Sequence, residues 1–308
     1  MKISVIIPTK NAEIYINALI KKLLNQTIKP CEIIVIDTES KDKTKEICMK
    51  YDVVRFIQIK QNEFNHGKTR NEAAKLANGN VLVFMTQDAY PKNNNFIEEL
   101  IKPLGKGGVV CTYGKQLARN DSNVLESFYR SFNYGNYDII KSKEDIYKFG
   151  VKTFFFSNVC SSFIKNDFFE VNGFPNDTIM NEDMIIACKF IYGGKKTCYT
   201  SNAKVIHSHK YTYLQQFKRN FDIGVAFIDN YDYLGEVKSE SEGIRFVKEA
   251  IRFLVKNNKY YLIPTLLIDS GFRFIGYNFG RNYKKMPIKI VKMMSMNPFY
   301  FSKKKFKV

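Results

Sequence analysis

Four short apolar runs occupy much of the first 85 residues, and each stops abruptly at polar residues. Residues 2–7 read Lys-Ile-Ser-Val-Ile-Ile before Pro8, and 32–36 read Glu-Ile-Ile-Val-Ile before Asp37; 53–59 and 81–85 repeat the pattern. Runs this short, rich in β-branched residues and lacking polar alternation, suit strands buried on both faces. The segments between them have helical spacing. Ile14, Ile16, Leu19, Ile20, Leu23 and Leu24 lie on one helix face, Ser40 and Asp42 are candidate caps for a helix over 43–51, and an Ala-rich helix over 69–77 closes at Asn78-Gly79. Strands alternating with helices imply a parallel α/β sheet, whose ligand crevice lies at the carboxyl ends of the strands.

Bulk properties narrow the class. A chain of 308 residues that is 45% hydrophobic and 15% aromatic can bury a core, which excludes global disorder. The apolar start is interrupted by Pro8 and Lys10, so it reads as a strand rather than an export signal, and a cytosolic start is expected. No run approaches the roughly 18 apolar residues of a membrane span. Six scattered cysteines with no C-x-x-C pair are expected to be reduced and mostly buried.

The net charge of +18 is concentrated at the end. Residues 273–308 hold ten Lys/Arg and no Asp/Glu, interleaved with Phe274, Ile275, Tyr277, Phe279, Ile288, Ile290, Met293, Phe299 and others. Such a segment suits an anionic membrane surface. A solvated basic face and a nucleic-acid surface are the competing readings, and we expect no nucleic-acid partner.

No G-x-G-x-x-G follows the first strand, Gly105-Lys106-Gly107-Gly108 lacks a phosphate-loop ending, and no G-x-S-x-G elbow is present. Polar groups instead fall at successive element ends: Pro8-Thr9, Asp37-Thr38-Glu39-Ser40, His66 to Asn71, Thr86-Gln87-Asp88-Ala89, Asn181-Glu182-Asp183 and His207-Ser208-His209. Asp88, directly after an apolar strand, is the best-placed carboxylate for a metal or phosphate.

This order resembles the family 2 glycosyltransferases of GT-A fold, and in detail their bacterial rhamnosyltransferase branch. That branch carries a Phe-x-His-Gly-x-Thr-Arg-Asn block and a Thr-Gln-Asp-Ala block, which here read Phe64-Asn65-His66-Gly67-Lys68-Thr69-Arg70-Asn71 and Thr86-Gln87-Asp88-Ala89. The likeness covers about residues 1–225 and, more weakly, 277–281 and 298–300. It implies a Rossmann-like mixed sheet forming a GT-A catalytic domain over 1–210. The nucleotide-sugar half would lie at about 1–105 and the acceptor half at about 106–210, followed by a helical, basic region over 211–308.

The resemblance also implies roles. Pro8, Thr9, Asp37, Ser40, His66, Thr69, Arg70, Gln87 and Asp88 would line the donor. Asp37 can accept a pyrimidine N3–H, or serve only its own turn. Arg70 can grip phosphate bidentately, or simply pair with an acid. His66 can touch the donor or be structural. Asp88 would hold a divalent cation, Mg²⁺ or Mn²⁺, although Thr86 replaces the first carboxylate of the family's Asp-x-Asp. His207 is the expected further ligand, with His209 competing. Asp183 is the expected general base; the competing reading of Glu182-Asp183 is helix-terminal charge. Asn158, Glu182 and Arg219 are weaker candidates for acceptor contacts, Arg219 being equally a snorkelling helix residue.

The implied activity is inverting transfer of a sugar, L-rhamnose from dTDP-L-rhamnose, onto a lipid-linked saccharide of a cell-surface polysaccharide. The enzyme would sit peripherally on the cytoplasmic face of the membrane, and a homo-oligomer is compatible with this. A UDP-hexose or galactofuranosyl donor on the same fold, and an inactive membrane-bound scaffold, are the alternatives.

Overall fold

The structure, a computed structural model, describes residues 1–208, 211–234 and 240–302. His209 therefore lies outside the described residues. The chain divides into two compact units. The first comprises 1–121, 133–177 and 182–208; the second comprises 122–132, 178–181 and 209–308. A single boundary at 210 does not capture the two short excursions into the second unit.

The first unit is built on the strands β1 (Ile3–Thr9), β2 (Glu32–Thr38), β3 (Val54–Ile59), β4 (Val81–Met85), β5 (Tyr90–Pro91), β6 (Val109–Leu117), β7 (Ile139–Lys141), β8 (Cys160–Ile164) and β9 (Lys196–Ile206). They form one sheet of order β3-β2-β1-β4-β8-β6-β9-β5, with β7 paired to β9. β1 to β4 are parallel, β8 runs against both β4 and β6, and β6 is parallel to β9. The carboxyl ends of β1, β2, β4, β6 and β9 and the start of β8 therefore share one edge of the sheet.

Period-two side-chain alternation feeds two apolar layers. Val5, Val35 and Val83 pack with Leu19 and Ile20 of α1 (Glu13–Leu24) and Phe96 and Ile97 of α4 (Phe96–Ile101). Ile6, Ile34, Leu82 and Phe84 face the other way, toward Ala73 and Ala74 of α3 (His66–Leu76), Phe168 of α7 (Lys165–Glu170) and Ile186 and Phe190 of α8 (Glu182–Tyr192). Two minor helices, α2 (Thr44–Cys48) and α6 (Ile146–Phe149), complete this unit's helices, while α5 (Val124–Asn133) lies almost wholly in the second.

Local differences from the sequence reading have physical causes. α3 starts at His66 because the Asn65 side chain accepts from the Gly67 and Lys68 amides, which caps the helix. A Cβ on Gly67 would collide with the Pro175 carbonyl oxygen, so α3 can approach that loop only with glycine there. Asp42 does meet the start of α2, its Oδ1 accepting from the Thr44 amide at 3.1 Å, whereas Ser40 serves another helix. Ser40 Oγ and Asp42 Oδ2 accept from the Asn11 and Glu13 amides, at 2.7 and 2.9 Å, bracing the start of α1.

The second unit is helical: α5 with α9 (Tyr213–Asp229), α10 (Tyr231–Leu234), α11 (Glu240–Lys256), α12 (Ile263–Arg281), α13 (Ile288–Met294) and α14 (Pro298–Ser302). Leu125 and Phe128 pack with Ala250, Leu254 and Leu266; Phe221 and Val225 pack with Tyr283, Val291 and Phe301. α9 and α12 meet backbone to backbone, since a Cβ on Gly280 would strike the Phe221 carbonyl oxygen. Asp222 accepts from Ser295 Oγ at 2.6 Å and from the Met296 amide at 3.0 Å, tying the segment before α14 to α9.

Candidate active site

Just beyond β4, the Thr86 amide donates to the Val159 carbonyl at 3.2 Å, so the 86–88 segment runs beside the residues that lead into β8. This turn directs Asp88 toward His207, which follows β9. Asp88 Oδ2 lies 3.5 Å from His207 Nε2, with both side chains largely shielded from solvent. The His207 amide donates to the Leu117 carbonyl at 2.9 Å, and the ring's Nδ1 lies 3.0 Å from Gln116 Oε1.

A carboxylate oxygen and an imidazole nitrogen at this spacing can share one cation. Two ligand atoms each about 2.1 Å from a metal are about 3.0 Å apart at right angles and about 3.4 Å apart at the tetrahedral angle. The mixed oxygen and nitrogen donor set suits Mg²⁺ or Mn²⁺ with remaining positions filled by oxygens. Among the described residues there is no cluster of three or more His, Cys, Asp or Glu that could hold a metal. A cation here would have Asp88 and His207 as its protein ligands and would need oxygens from elsewhere to complete its shell.

The same sheet edge carries a second carboxylate. Asp183, in the first turn of α8, accepts from the Asn158 amide at 3.2 Å through Oδ2 and from the Met184 amide at 2.8 Å through Oδ1. Burial pushes its carboxyl up to about 7, and the neighbouring Glu182 charge adds to the rise. Burial also opposes ionisation of Glu182, but Arg70 and His66 beside it, with hydrogen bonds, hold it below the ordinary carboxylate value. Glu182 Oε1 lies 3.2 Å from Arg70 Nη1 and accepts from Asn158 Nδ2 at 3.2 Å. One ionised and one protonatable carboxyl side by side is the arrangement expected of an acid–base site.

The expected donor residues divide into surface and frame. Asp37 is fully buried; its carboxylate accepts from Thr9 Oγ1 at 2.9 Å and from the Ser40 amide at 2.9 Å as well as the Ser40 hydroxyl. With these three donors on its two oxygens, Asp37 orders the ends of β1 and β2. Arg70, expected to face phosphate, is also buried: its Nη1 donates to the His66 carbonyl at 2.8 Å and pairs with Glu182, while Nε has no hydrogen-bond partner among the described residues.

The other expected donor residues fall at the same edge of the first unit. Gln87 holds the end of β1 by accepting from the Lys10 amide at 2.8 Å and donating to its carbonyl at 3.2 Å. Thr69 is buried and accepts from the Asn65 amide at 3.1 Å; His66 is half-buried with its ring edge-on to Phe64; Pro8 is half-buried.

The three acceptor candidates divide between the surroundings of Asp183 and the second unit. Glu182 and Asn158 are buried and bonded to one another, and Asn158 Oδ1 also accepts from Ser161 Oγ at 2.9 Å. They shape the surroundings of Asp183 rather than present a polar surface. Arg219 lies on α9 of the second unit, exposed, with its guanidinium 5.7 Å from the Tyr211 ring centre. Gln116, Tyr134 and Ser157 were not anticipated; no motif marks them, and only the register of β6 beside β9 brings Gln116 to His207.

A sequence profile for the family described as Glycosyl transferase family 2 matches residues 4–169. The chain is 38% identical over 307 residues to the O-antigen chain rhamnosyltransferase RfbN of Salmonella typhimurium, covering 98% of this chain and 96% of that protein. It is also 38% identical over 305 residues to the O-antigen chain rhamnosyltransferase WbaN of Salmonella anatum, covering 97% and 95%. Among solved structures, Staphylococcus aureus TarS in complex with UDP superimposes with a TM-score of 0.55 at 20% identity, covering 92% of each chain. A Pyrobaculum calidifontis mannosyltransferase in complex with GDP-Man and Mn²⁺ gives 0.57 at 16% identity, covering 98% of this chain and 85% of that one. These neighbours share the GT-A fold with the first unit's mixed sheet. With the profile spanning more than half the chain and relatives aligned along nearly all of it, the chain belongs to glycosyl transferase family 2 and is a glycosyltransferase.

Proposed function

We propose that this enzyme transfers L-rhamnose from dTDP-L-rhamnose, with inversion, onto a lipid-linked saccharide during assembly of an O-antigen-type chain. The observation that carries the reading is the 38% identity, along nearly the whole chain, to two O-antigen chain rhamnosyltransferases.

The chemistry follows from the sheet edge. The nucleoside diphosphate lies across the ends of β1, β2 and β4, against Pro8, Thr9, Ser40, His66, Thr69 and Gln87. Asp37 fixes Thr9 and Ser40 from below. Arg70, at the base of α3, balances Glu182 and adds positive potential toward the phosphates. Asp88 and His207 would hold a divalent cation, Mg²⁺ or Mn²⁺, which neutralises charge on the departing diphosphate. Asp183 takes the proton from the acceptor hydroxyl as that oxygen attacks the anomeric carbon from the face opposite the leaving group. A carboxyl held near 7 is well matched to that task, because it is a stronger base than an ordinary aspartate yet largely ionised in mildly alkaline solution.

The second unit supports a peripheral position on the cytoplasmic membrane face. No helix among the described residues is long and apolar enough to cross a membrane. α12 nevertheless exposes Leu267, Ile268, Phe274, Ile275 and Phe279, at intervals of seven and four residues that keep them on one side of the helix, Phe274 at 66%. Arg281, Lys284, Lys285 and Lys289 are exposed close by in sequence, and no acid occurs after residue 272. An apolar stripe beside a one-signed basic cluster fits an interfacial helix on anionic lipid.

The test is transfer of labelled sugar to an undecaprenyl-diphosphate-linked saccharide from dTDP-L-rhamnose, UDP-glucose and UDP-galactofuranose in parallel. Rhamnose incorporation alone is expected. Efficient transfer from either UDP-sugar without rhamnose transfer overturns the donor assignment; silence with every donor would support the inactive-scaffold reading.

A further inference from the structure

An imidazole offers a cation one nitrogen at a time, and the partner of the other nitrogen decides which. On His207 the Nδ1 position is taken by Gln116 Oε1 at 3.0 Å. An amide oxygen only accepts, so Nδ1 carries the proton and the lone pair is left on Nε2. Nε2 is the nitrogen that stands 3.5 Å from Asp88 Oδ2.

The amide is itself held. Its Nε2 donates to the Tyr134 hydroxyl and, at 2.9 Å, to Ser157 Oγ. Gln116, Ser157 and Tyr134 are all buried, so these bonds do not compete with bulk water. The backbone reinforces the arrangement: Gln116 and Leu117 of β6 lie opposite Val205 and Ile206 of β9, and the His207 amide continues that ladder to the Leu117 carbonyl.

We propose that Gln116 is a positioning residue for the metal-facing histidine, selecting the His207 tautomer whose Nε2 lone pair points toward Asp88. The assignment rests on Asp88 and His207 being the protein's metal ligands. It extends further along the same network, because Ser157 is followed by Asn158, whose amide donates to Asp183. The metal-facing and base-bearing sides of the cleft are thus fixed through one dipeptide.

The test measures Mn²⁺ binding to the full-length protein in the presence of dTDP, by the free-Mn²⁺ signal in electron paramagnetic resonance. Metal-free dTDP affinity, read by thermal shift, reports an intact cleft. Asp88→Asn and His207→Ala are expected to weaken Mn²⁺ binding strongly. Gln116→Leu, which removes the acceptor, is expected to weaken it by about ten- to a hundredfold. Gln116→Glu keeps an acceptor for Nδ1–H, with the Tyr134 and Ser157 hydroxyls turning to donate, and is expected to retain most of the affinity.

If Gln116→Leu does not fold, Tyr134→Phe combined with Ser157→Ala releases the amide and replaces it in the comparison. Unchanged Mn²⁺ affinity in Asp88→Asn and His207→Ala would overturn the metal-site reading and the proposal with it. Loss in those two but wild-type affinity in Gln116→Leu, or equal loss in Gln116→Leu and Gln116→Glu, would overturn the role of Gln116 alone.

Discussion

Glu182→Gln is the substitution that most sharply probes how Asp183 becomes a base. Burial, and after it the Glu182 charge, pushes the Asp183 carboxyl up from the ordinary aspartate range to about 7. At 1.36 kcal/mol per unit, the folded protein disfavours the charged form by about 4 kcal/mol. Replacing Glu182 by glutamine leaves burial in place but removes the adjacent negative charge. It also leaves Arg70, now 3.2 Å from a neutral amide, as an uncompensated cation in the same pocket. Both changes favour ionised Asp183, so its pKa falls, by about one unit or more, worth at least about 1.4 kcal/mol. The assay is the pH dependence of kcat/KM for sugar transfer. The ascending limb, near pH 7 in the wild type, should move down by at least that amount in Glu182→Gln. His66→Ala serves as a control, because His66 also acts electrostatically on the pair. A limb that stays in place in Glu182→Gln, or that disappears in His66→Ala, would refute the assignment of the titration to the Asp183–Glu182 pair.

Other outcomes follow from the same geometry. Asp183→Asn should lower turnover by about 10²–10⁴-fold while leaving dTDP binding intact, as measured by steady-state transfer and thermal shift. Because folded Asp183 holds its proton between about pH 4 and 7 while the unfolded chain does not, wild-type stability falls as pH rises through that window. Asp183→Asn should therefore gain up to about 4 kcal/mol relative to wild type at pH 8 and nothing at pH 4, as read by denaturant unfolding at the two pH values. Arg70→Met leaves Glu182 buried without its cation and should cost about 3–5 kcal/mol of stability in the same measurement at neutral pH. Phe274→Ser with Ile275→Ser should reduce partition onto vesicles containing phosphatidylglycerol at least tenfold in co-sedimentation, since each apolar side chain is worth about 1.5–3 kcal/mol when fully buried. Equal sedimentation of the double variant and the wild type would remove α12 from the membrane-facing surface.

The parallel half of the sheet was legible because its strands are buried on both faces, and such strands write themselves as unbroken apolar runs. Asp37, Asp88 and Asp183 stood out for a related reason: each borders an apolar element at its end. What the sequence did not carry was which oxygen meets which donor. Arg70 reads as a phosphate ligand when only its own block is considered, yet Glu182, more than a hundred positions away, is its nearest ion-pair partner. Asn158 reads as pocket lining within an apolar stretch, but that stretch becomes strand only at Cys160, and Asn158, two residues before β8, serves both carboxylates. Gln116 illustrates the limit most clearly. A glutamine near a strand end has no local signature, and its contact with His207 exists only because β6 and β9 lie side by side. Pairings between strands far apart in sequence depend on register, which single residues do not encode.

The central claim is spatial: a cation and diphosphate held by Asp88 and His207, with Asp183 open to the same cleft. A crystal structure of the full-length enzyme with dTDP and Mn²⁺, using the anomalous signal of manganese, tests it directly. We expect the manganese peak within coordination distance of Asp88 Oδ2 and His207 Nε2, the diphosphate completing its shell, and the Asp183 carboxyl facing the position of the anomeric carbon. Manganese bound elsewhere, or nucleotide lying away from the ends of β1, β2 and β4, would contradict the account.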